Sequence, residues 1–500
     1  MNYLPLFTAL PLLGAFLTPL LSKIFEKIGD IISTIITTLL LILSIYSTFL
    51  LPIFGNIYVY EIGKWSLSPI PLGIIFAFDS LSLLMVLAIN LLSFACAIYS
   101  VRYLDGYTGR WKFWTLFLLM VAGLNGIAIT GDLFNLFVFT EISAISSYAL
   151  VAFGVEKEDL EASFKYQVIG EIGGLTILLA IALIYAKTST LNMADIANTL
   201  TNENKGILFW FIVSLLTFGF LIKSALFPFH FWLPDAHSQA PAPISAMLSG
   251  IFIKILGIYS LSRLVFNIFG LNRSNAPHYF DILIVLGILS IIIAGFIALR
   301  QTNYKRLLAY STISQVGYIF VGLGIGNFWG VVGALALLFA HALGKGLLFL
   351  TAGSVEKTSG TLNIEELCTS QKRLPFYGVI YTLGALSLAG VPPFLGFFPK
   401  LFLILGAIKE KMLGVGIVLG IFSVLTLAYL LKITNKVFTN KKEGEKVGVP
   451  ISTIFSFLLL IGLIFILGVF YFNYLYPNLI EKAGEAIMRG IDYAKLVLMR

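Results

Sequence analysis

The chain has 500 residues, of which 58% are hydrophobic and only 12% charged. A soluble protein carries roughly 25% charge, so a water-soluble domain is excluded and an all-α polytopic membrane protein is expected. The net charge of +8 comes from basic residues spread through short loops, where they set orientation, and no nucleic-acid partner is implied.

Apolar runs of about 20 residues, the length of a spanning helix, recur from end to end. The first, Leu4–Leu21, has no basic start and no cleavage site after it, so it reads as a span and not a signal peptide. The pattern predicts about 14 transmembrane helices. They run over 3–21, 31–51, 73–99, 113–130, 133–153, 163–186, 206–232, 241–268, 279–299, 304–325, 328–353, 376–408, 412–438 and 450–474. The seventh and twelfth are broken. Residues 475–500 mix charged and apolar positions and predict an amphipathic surface helix. The longest polar insertions, near 187–205, 354–375 and 439–448, are too short to fold alone.

Assigned to loops, 18 of the 33 Lys and Arg follow odd-numbered spans and 7 follow even-numbered ones. Four lie in the tail and four inside spans. Excess basic charge marks the cytoplasmic side, so both termini are expected outside. Cys96 and Cys368 lack metal-ligand spacing, and no phosphate-binding loop is present.

Span seven breaks at LFPFHFWLP and span twelve at Gly390–Lys400, GVPPFLGFFPK. Proline in a helix interior removes a hydrogen bond and clashes with the preceding turn. Irregular backbone at membrane depth survives only where protein buries it or it lines a wet cavity. The two breaks lie five spans apart, so their segments cross in opposite directions. That pattern predicts two inverted five-helix repeats. The organisation expected is 1–112 for the first three helices, 113–268 and 279–438 for the repeats, and 450–500 for helix 14 and the tail. The alternative is that Pro and Gly are simply common in membrane helices.

A charge at the centre of a spanning helix costs at least ~2.5–3.5 kcal/mol, so each one needs a reason. Glu141 lies in the middle of span five, FNLFVFTEISAISSYAL. Lys223 stands just before the break of span seven, with no acid within ten residues. Together they form either a structural ion pair or a switch in which each group's protonation depends on the other. Lys254 sits in span eight too far from either end to snorkel. His341 and Lys345, four residues apart in LLFAHALGKGLLFL, share one helical face. His341 is either a hydrogen-bonded core residue or part of a proton path. Lys400 follows the break of span twelve. Glu171 lies in span six among three glycines, and its role is open. His230, Asp235 and His237 surround the span-seven break. The intervening prolines and the lack of a further ligand argue against a metal site there. Asp132 and Asp281 read as residues near helix N-termini, and Asp79 stays open.

The run KSALFPFHFWLPDAHSQAPAPISAMLSG, with FTEISAISSYAL, HALGKGLLFLTAG and GVPPFLGFFPK, resembles the proton-translocating antiporter-like subunits. These include the large membrane-arm subunits of complex I, the A and D subunits of Mrp antiporters, and matching subunits of membrane-bound NiFe hydrogenases. The resemblance covers roughly residues 70–410. It implies a proton-translocating role for Glu141, Lys223, Lys254, His341, Lys345 and Lys400. Glu171 does not match the family pattern and, with His230, Asp235 and His237, is an accessory candidate. The early end after span fourteen favours the Mrp D-like type. The resemblance implies a subunit of a multisubunit ion-pumping complex in the prokaryotic plasma membrane, with no cofactor of its own. Its partners would be the other membrane subunits, antiporter-like and small Mrp-type ones included, and a peripheral redox module. The driving force would be redox, as in a hydrogenase-like or complex I-like assembly; the alternative is a place in a stand-alone Mrp Na+/H+ antiporter.

Overall fold

The computed structural model describes residues 3–54, 57–63, 66–67, 70–71, 73–201, 205–369, 374–439 and 447–498. Most of the polar insertion at 439–448 lies outside them. The chain is a helical membrane protein, with 11 helices long and apolar enough to cross a bilayer among the described residues. Three shorter apolar helices accompany them: Leu6–Leu21, Ile207–Lys223 and Pro375–Ala389. The helices form because apolar runs of this length satisfy their backbone internally, which a lipid environment demands.

The fold is not purely α. The sequence pattern puts residues 75–79 inside span three, yet Ile75–Asp79 is a strand paired antiparallel with Ile57–Glu61. All five of its residues are buried. Its partner, IYVYE, is rich in β-branched and aromatic residues, which suit a pleated surface. The third long helix therefore starts at Ser80, and Asp79 caps it by accepting from the Ser82 amide at 2.9 Å. A second, two-residue ribbon pairs Ser66–Leu67 with Ile70–Pro71.

Both expected breaks are present. The helix Ile207–Lys223 ends at its lysine, and the chain turns before resuming as Trp232–Gln239. The helix Pro375–Ala389 ends at Gly390, whose φ of +88° suits glycine, and Phe397–Lys409 follows. The Lys254 helix, Ala242–Ile268, contains π-helical stretches at Leu248–Phe252, Lys254–Tyr259 and Arg263–Ile268. The tail differs from a single surface helix. Glu481–Met488 and Asp492–Leu498 are separated at Gly490 and half sunk, with Ile487 and Tyr493 buried.

One backbone arrangement occurs twice. Asp132 bridges Asn192, and Asn303 bridges Asn363, both antiparallel. Each bridge joins the start of one long helix to the residue just after the next, and both of its members shift by 171 residues. The helices Lys157–Thr188 and Phe328–Ser359 have 32 residues each and obey the same shift. Asp132 and Asn303 both cap the helix they begin, accepting from Asn135 and Arg306 amides. Phe328–Ser359 lies at the centre of the bundle, packed by Ser80–Tyr103, Tyr304–Ile325, Pro375–Ala389, Phe397–Lys409 and Ile451–Val469.

Candidate functional site

The Lys223 ammonium lies 3.1 Å from the Glu141 carboxylate, with the lysine side chain 3% and the glutamate 15% exposed. Lys223 is the last residue of its helix, where the free carbonyl ends favour a cation. Close approach by Lys157–Thr188 makes room for the pair. A Cβ at Gly174 would sit 2.6 Å from the Glu141 Oε1 and 3.5 Å from the Lys223 Nζ. A Cβ at Gly219 would sit 2.8 Å from the Gly173 carbonyl, so only small residues let these backbones meet. The break is braced by aromatic stacking. Tyr166 lies flat on Trp232 at 4.2 Å and edge-on to Tyr148 at 4.5 Å. The Trp232 indole donates to the Ile222 carbonyl at 3.3 Å, an acceptor at the helix end that also takes the Ala225 amide.

Lys254 is wholly buried and its Nζ donates to the Ser249 carbonyl. The π-helical winding there leaves irregular carbonyl positions of the kind often found at functional sites. The Lys254 helix touches the Lys223 turn, because a Cβ at Gly257 would come within 2.7 Å of the Ser224 backbone. The Ser249 hydroxyl meets the Thr312 hydroxyl at 2.6 Å.

Lys345 is wholly buried and donates to the Leu308 carbonyl and the Ser311 hydroxyl, each at 2.8 Å. His341 is wholly buried, and among the described residues both its ring nitrogens are unpartnered. It lies within electrostatic reach of Lys254, Lys345 and Lys400. Lys400 donates to the Ala389 carbonyl at 3.0 Å, the acceptor freed by the break, and sits 5.1 Å from the Tyr318 ring.

The three candidates at the seventh break part company. His237 is wholly buried, stacks on Phe349 at 4.8 Å, and has no hydrogen-bond partner on its ring among the described residues. Lys345 lies 6.0 Å from the same Phe349 ring, so His237 joins the Lys345 cluster. Asp235 instead pairs with Arg306 at 2.6 Å and Lys165 at 3.5 Å, near the surface. His230 stands apart beside Phe227, at 5.4 Å. Among the described residues no three His, Cys, Asp or Glu side chains are placed to hold a metal. Glu171 lies within electrostatic reach of both Glu141 and Lys223.

Sequence reasoning passes over several participants. Ser311, Thr312 and Tyr318, all on Tyr304–Ile325, touch the buried lysines or their partners. The polar run STISQVGY in an apolar setting is the available signal. Arg263 is also missed, although it grips Asp79 with two bonds of 2.7 Å. That pair fastens the Lys254 helix to the strand and, through Tyr493 at 5.1 Å, to the tail.

Residues 130–427 match the family model described as NADH:quinone oxidoreductase/Mrp antiporter, TM. The chain belongs to this family. A second model, described as NADH-Ubiquinone oxidoreductase (complex I), chain 5 N-terminus, matches residues 65–114. NADH-quinone oxidoreductase subunit N of Desulforudis audaxviator is 35% identical over 77% of this chain and 76% of its own length. The D subunit of the Na(+)/H(+) antiporter of Alkalihalophilus pseudofirmus is 34% identical over 85% of this chain and 86% of its own. A chain of the membrane-bound sulfane sulfur reductase, an archaeal respiratory membrane complex, superposes with a TM-score of 0.92. It is 34% identical, with 99% of this chain and 100% of that one covered. Within the family match fall all six charged or histidine side chains described above: Glu141, Lys223, Lys254, His341, Lys345 and Lys400.

Proposed function

We propose that this family member is a proton-translocating membrane subunit of a multisubunit ion-pumping complex. One observation carries the reading: an acid–base pair, Glu141–Lys223, sits next to a series of buried bases that have only carbonyl, hydroxyl and ring partners. Burying so many charges costs several kcal/mol per ion, and a purely structural spacer has no use for them. Protons pass from the pair to Lys254, then to His341 and Lys345, and on to Lys400. The Ser249–Thr312 contact and the Ser311 hydroxyl lie beside this route, and water bridges the longer gaps. His237 and Glu171 are accessory groups at the two ends of the Lys345 and Glu141 clusters, and Asp235 and His230 hold the break.

Fourteen spans in two inverted five-helix repeats, 113–268 and 279–438, carry this site, with 1–112 and 450–500 flanking them. The shared 171-residue shift of the two bridges supports the repeat. Both termini face out of a prokaryotic plasma membrane. An impermeant thiol label on intact cells should therefore reach a cysteine in the tail and not one in the loop 300–306; the reverse pattern overturns the orientation.

The partners are other membrane subunits. Likeness to a respiratory complex chain over its full length favours a redox-driven pump with a peripheral module. The antiporter relative favours a stand-alone Na+/H+ antiporter as the second reading. Iron–sulfur absorbance in the purified complex supports the first, and a complex without metal centres the second.

The test is Glu141→Gln, which keeps size and removes charge. Proton uptake by vesicles holding the assembled variant complex should fall at least about tenfold. Uptake at the wild-type rate with normal assembly moves the gate elsewhere.

A further inference from the structure

Glu171, an accessory group in the reading above, has no direct partner there. It is the fifteenth of 32 residues in Lys157–Thr188, so it lies at the middle of a spanning helix. It is only half-buried, and among the described residues no hydrogen bond or ion pair to its carboxylate is formed. Two carboxylates, Glu141 and Glu171, lie near one cation, Lys223, and that lysine already bonds Glu141. Tyr148 shows that the cluster also lacks a hydrogen-bonding group. It is only 4% exposed, its hydroxyl has no partner among the described residues, and it lies within electrostatic reach of both glutamates. The cluster is short of one positive group.

The surrounding face is apolar and open. Phe164, Val168, Ile172, Leu175 and Leu179 are between 42% and 67% exposed. That stripe alone would suit lipid. A carboxylate at its centre does not, because a charge facing hydrocarbon is expensive. The helix that obeys the 171-residue shift, Phe328–Ser359, is entirely enclosed over an apolar stretch of 18 residues, whereas only 39% of an apolar stretch of that length in Lys157–Thr188 is buried. The exposed helix thus lacks the neighbours that its counterpart has.

We propose that the face around Glu171 seats a transmembrane helix of a different subunit that presents a Lys or Arg at the depth of Glu171. The docked cation neutralises the second carboxylate and seals the partly open side of the Glu141–Lys223 pair. This rests on the multisubunit reading above, but its test does not depend on transport.

The photoreactive residue p-benzoylphenylalanine, placed at Leu175 or Val168, is irradiated in the purified intact complex, and adducts are identified by mass spectrometry. The expected adduct is a spanning peptide of another subunit with a Lys or Arg within one helical turn of the attachment. Glu171→Lys should then cause loss of that subunit from the purified complex. Changing the partner's basic residue to Glu should restore it. Adducts with lipid alone, with a second copy of this chain, or with a helix lacking a basic residue overturn the proposal. Failure of the charge exchange to restore the subunit overturns the pairing. If the adduct forms and Glu141→Gln still translocates protons at the wild-type rate, the docking stands and the transport reading falls.

Discussion

The Glu141 and Lys345 regions share a backbone frame and differ in their chemistry. Each has a long helix capped at its start, bridged to the residue that follows a 32-residue helix. Along the 171-residue shift, Glu141 corresponds to Thr312 and Gly174 to Lys345. In the first region the acid comes from the capped helix, and the facing helix places a glycine at the position of Lys345, with Glu171 one turn away. In the second the hydroxyls come from the capped helix, and the facing helix supplies the base. One region holds an ion pair that is partly open at its edge. The other is sealed, and among the described residues its lysine bonds no carboxylate. A duplicated frame can therefore hold an acid–base ion pair in one copy and an enclosed lysine bonded to a carbonyl and a hydroxyl in the other.

The largest effect is expected in the sealed region. Lys345→Met keeps the stem and removes the nitrogen that holds hydrogen bonds to the Tyr304–Ile325 helix. Proton uptake by vesicles should fall to background, at least about a hundredfold, with the complex still assembled. If uptake survives, the two regions are not stages of one route.

A smaller effect is expected at the glycine that opens the first region. Gly174→Ala places a methyl group 2.6 Å from the Glu141 carboxylate oxygen, and overpacking of this kind costs about 1–3 kcal/mol. The carboxylate must turn away from Lys223, and uptake should fall about tenfold. Gly462→Ala, where nothing lies within 4 Å, should leave uptake unchanged. Equal behaviour of the two variants would show that the close approach at Gly174 is irrelevant to the pair.

Much of this site is legible in the sequence because charges stand out in apolar runs. Glu141, Lys223, Lys254, Lys345 and Lys400 need no structure to be noticed, since each is costly where it stands. The Glu141–Lys223 pairing is also readable, as the two lack other partners nearby in sequence. The hydroxyls are not. Ser249, Ser311 and Thr312 belong to residue types that usually bond their own helix in such settings, so nothing in the sequence separates a ligand of Lys345 from a bystander. Gly174 gives no sign of bordering the pair, because its role depends on a backbone from another helix. The strand at Ile75–Asp79 reads as helix, since a short apolar run fits both periods. Asp79 cannot be resolved without Arg263, which lies 184 residues away.

The proposed transport route requires Glu141 to exchange a proton beside Lys223. Infrared difference spectroscopy of the assembled complex, driven between resting and energised states, reads this directly. A protonated-carboxyl band should appear on energisation and be absent in Glu141→Gln at matched assembly. A spectrum with the same carboxyl band in wild type and Glu141→Gln, or with no such band in either, would contradict the account.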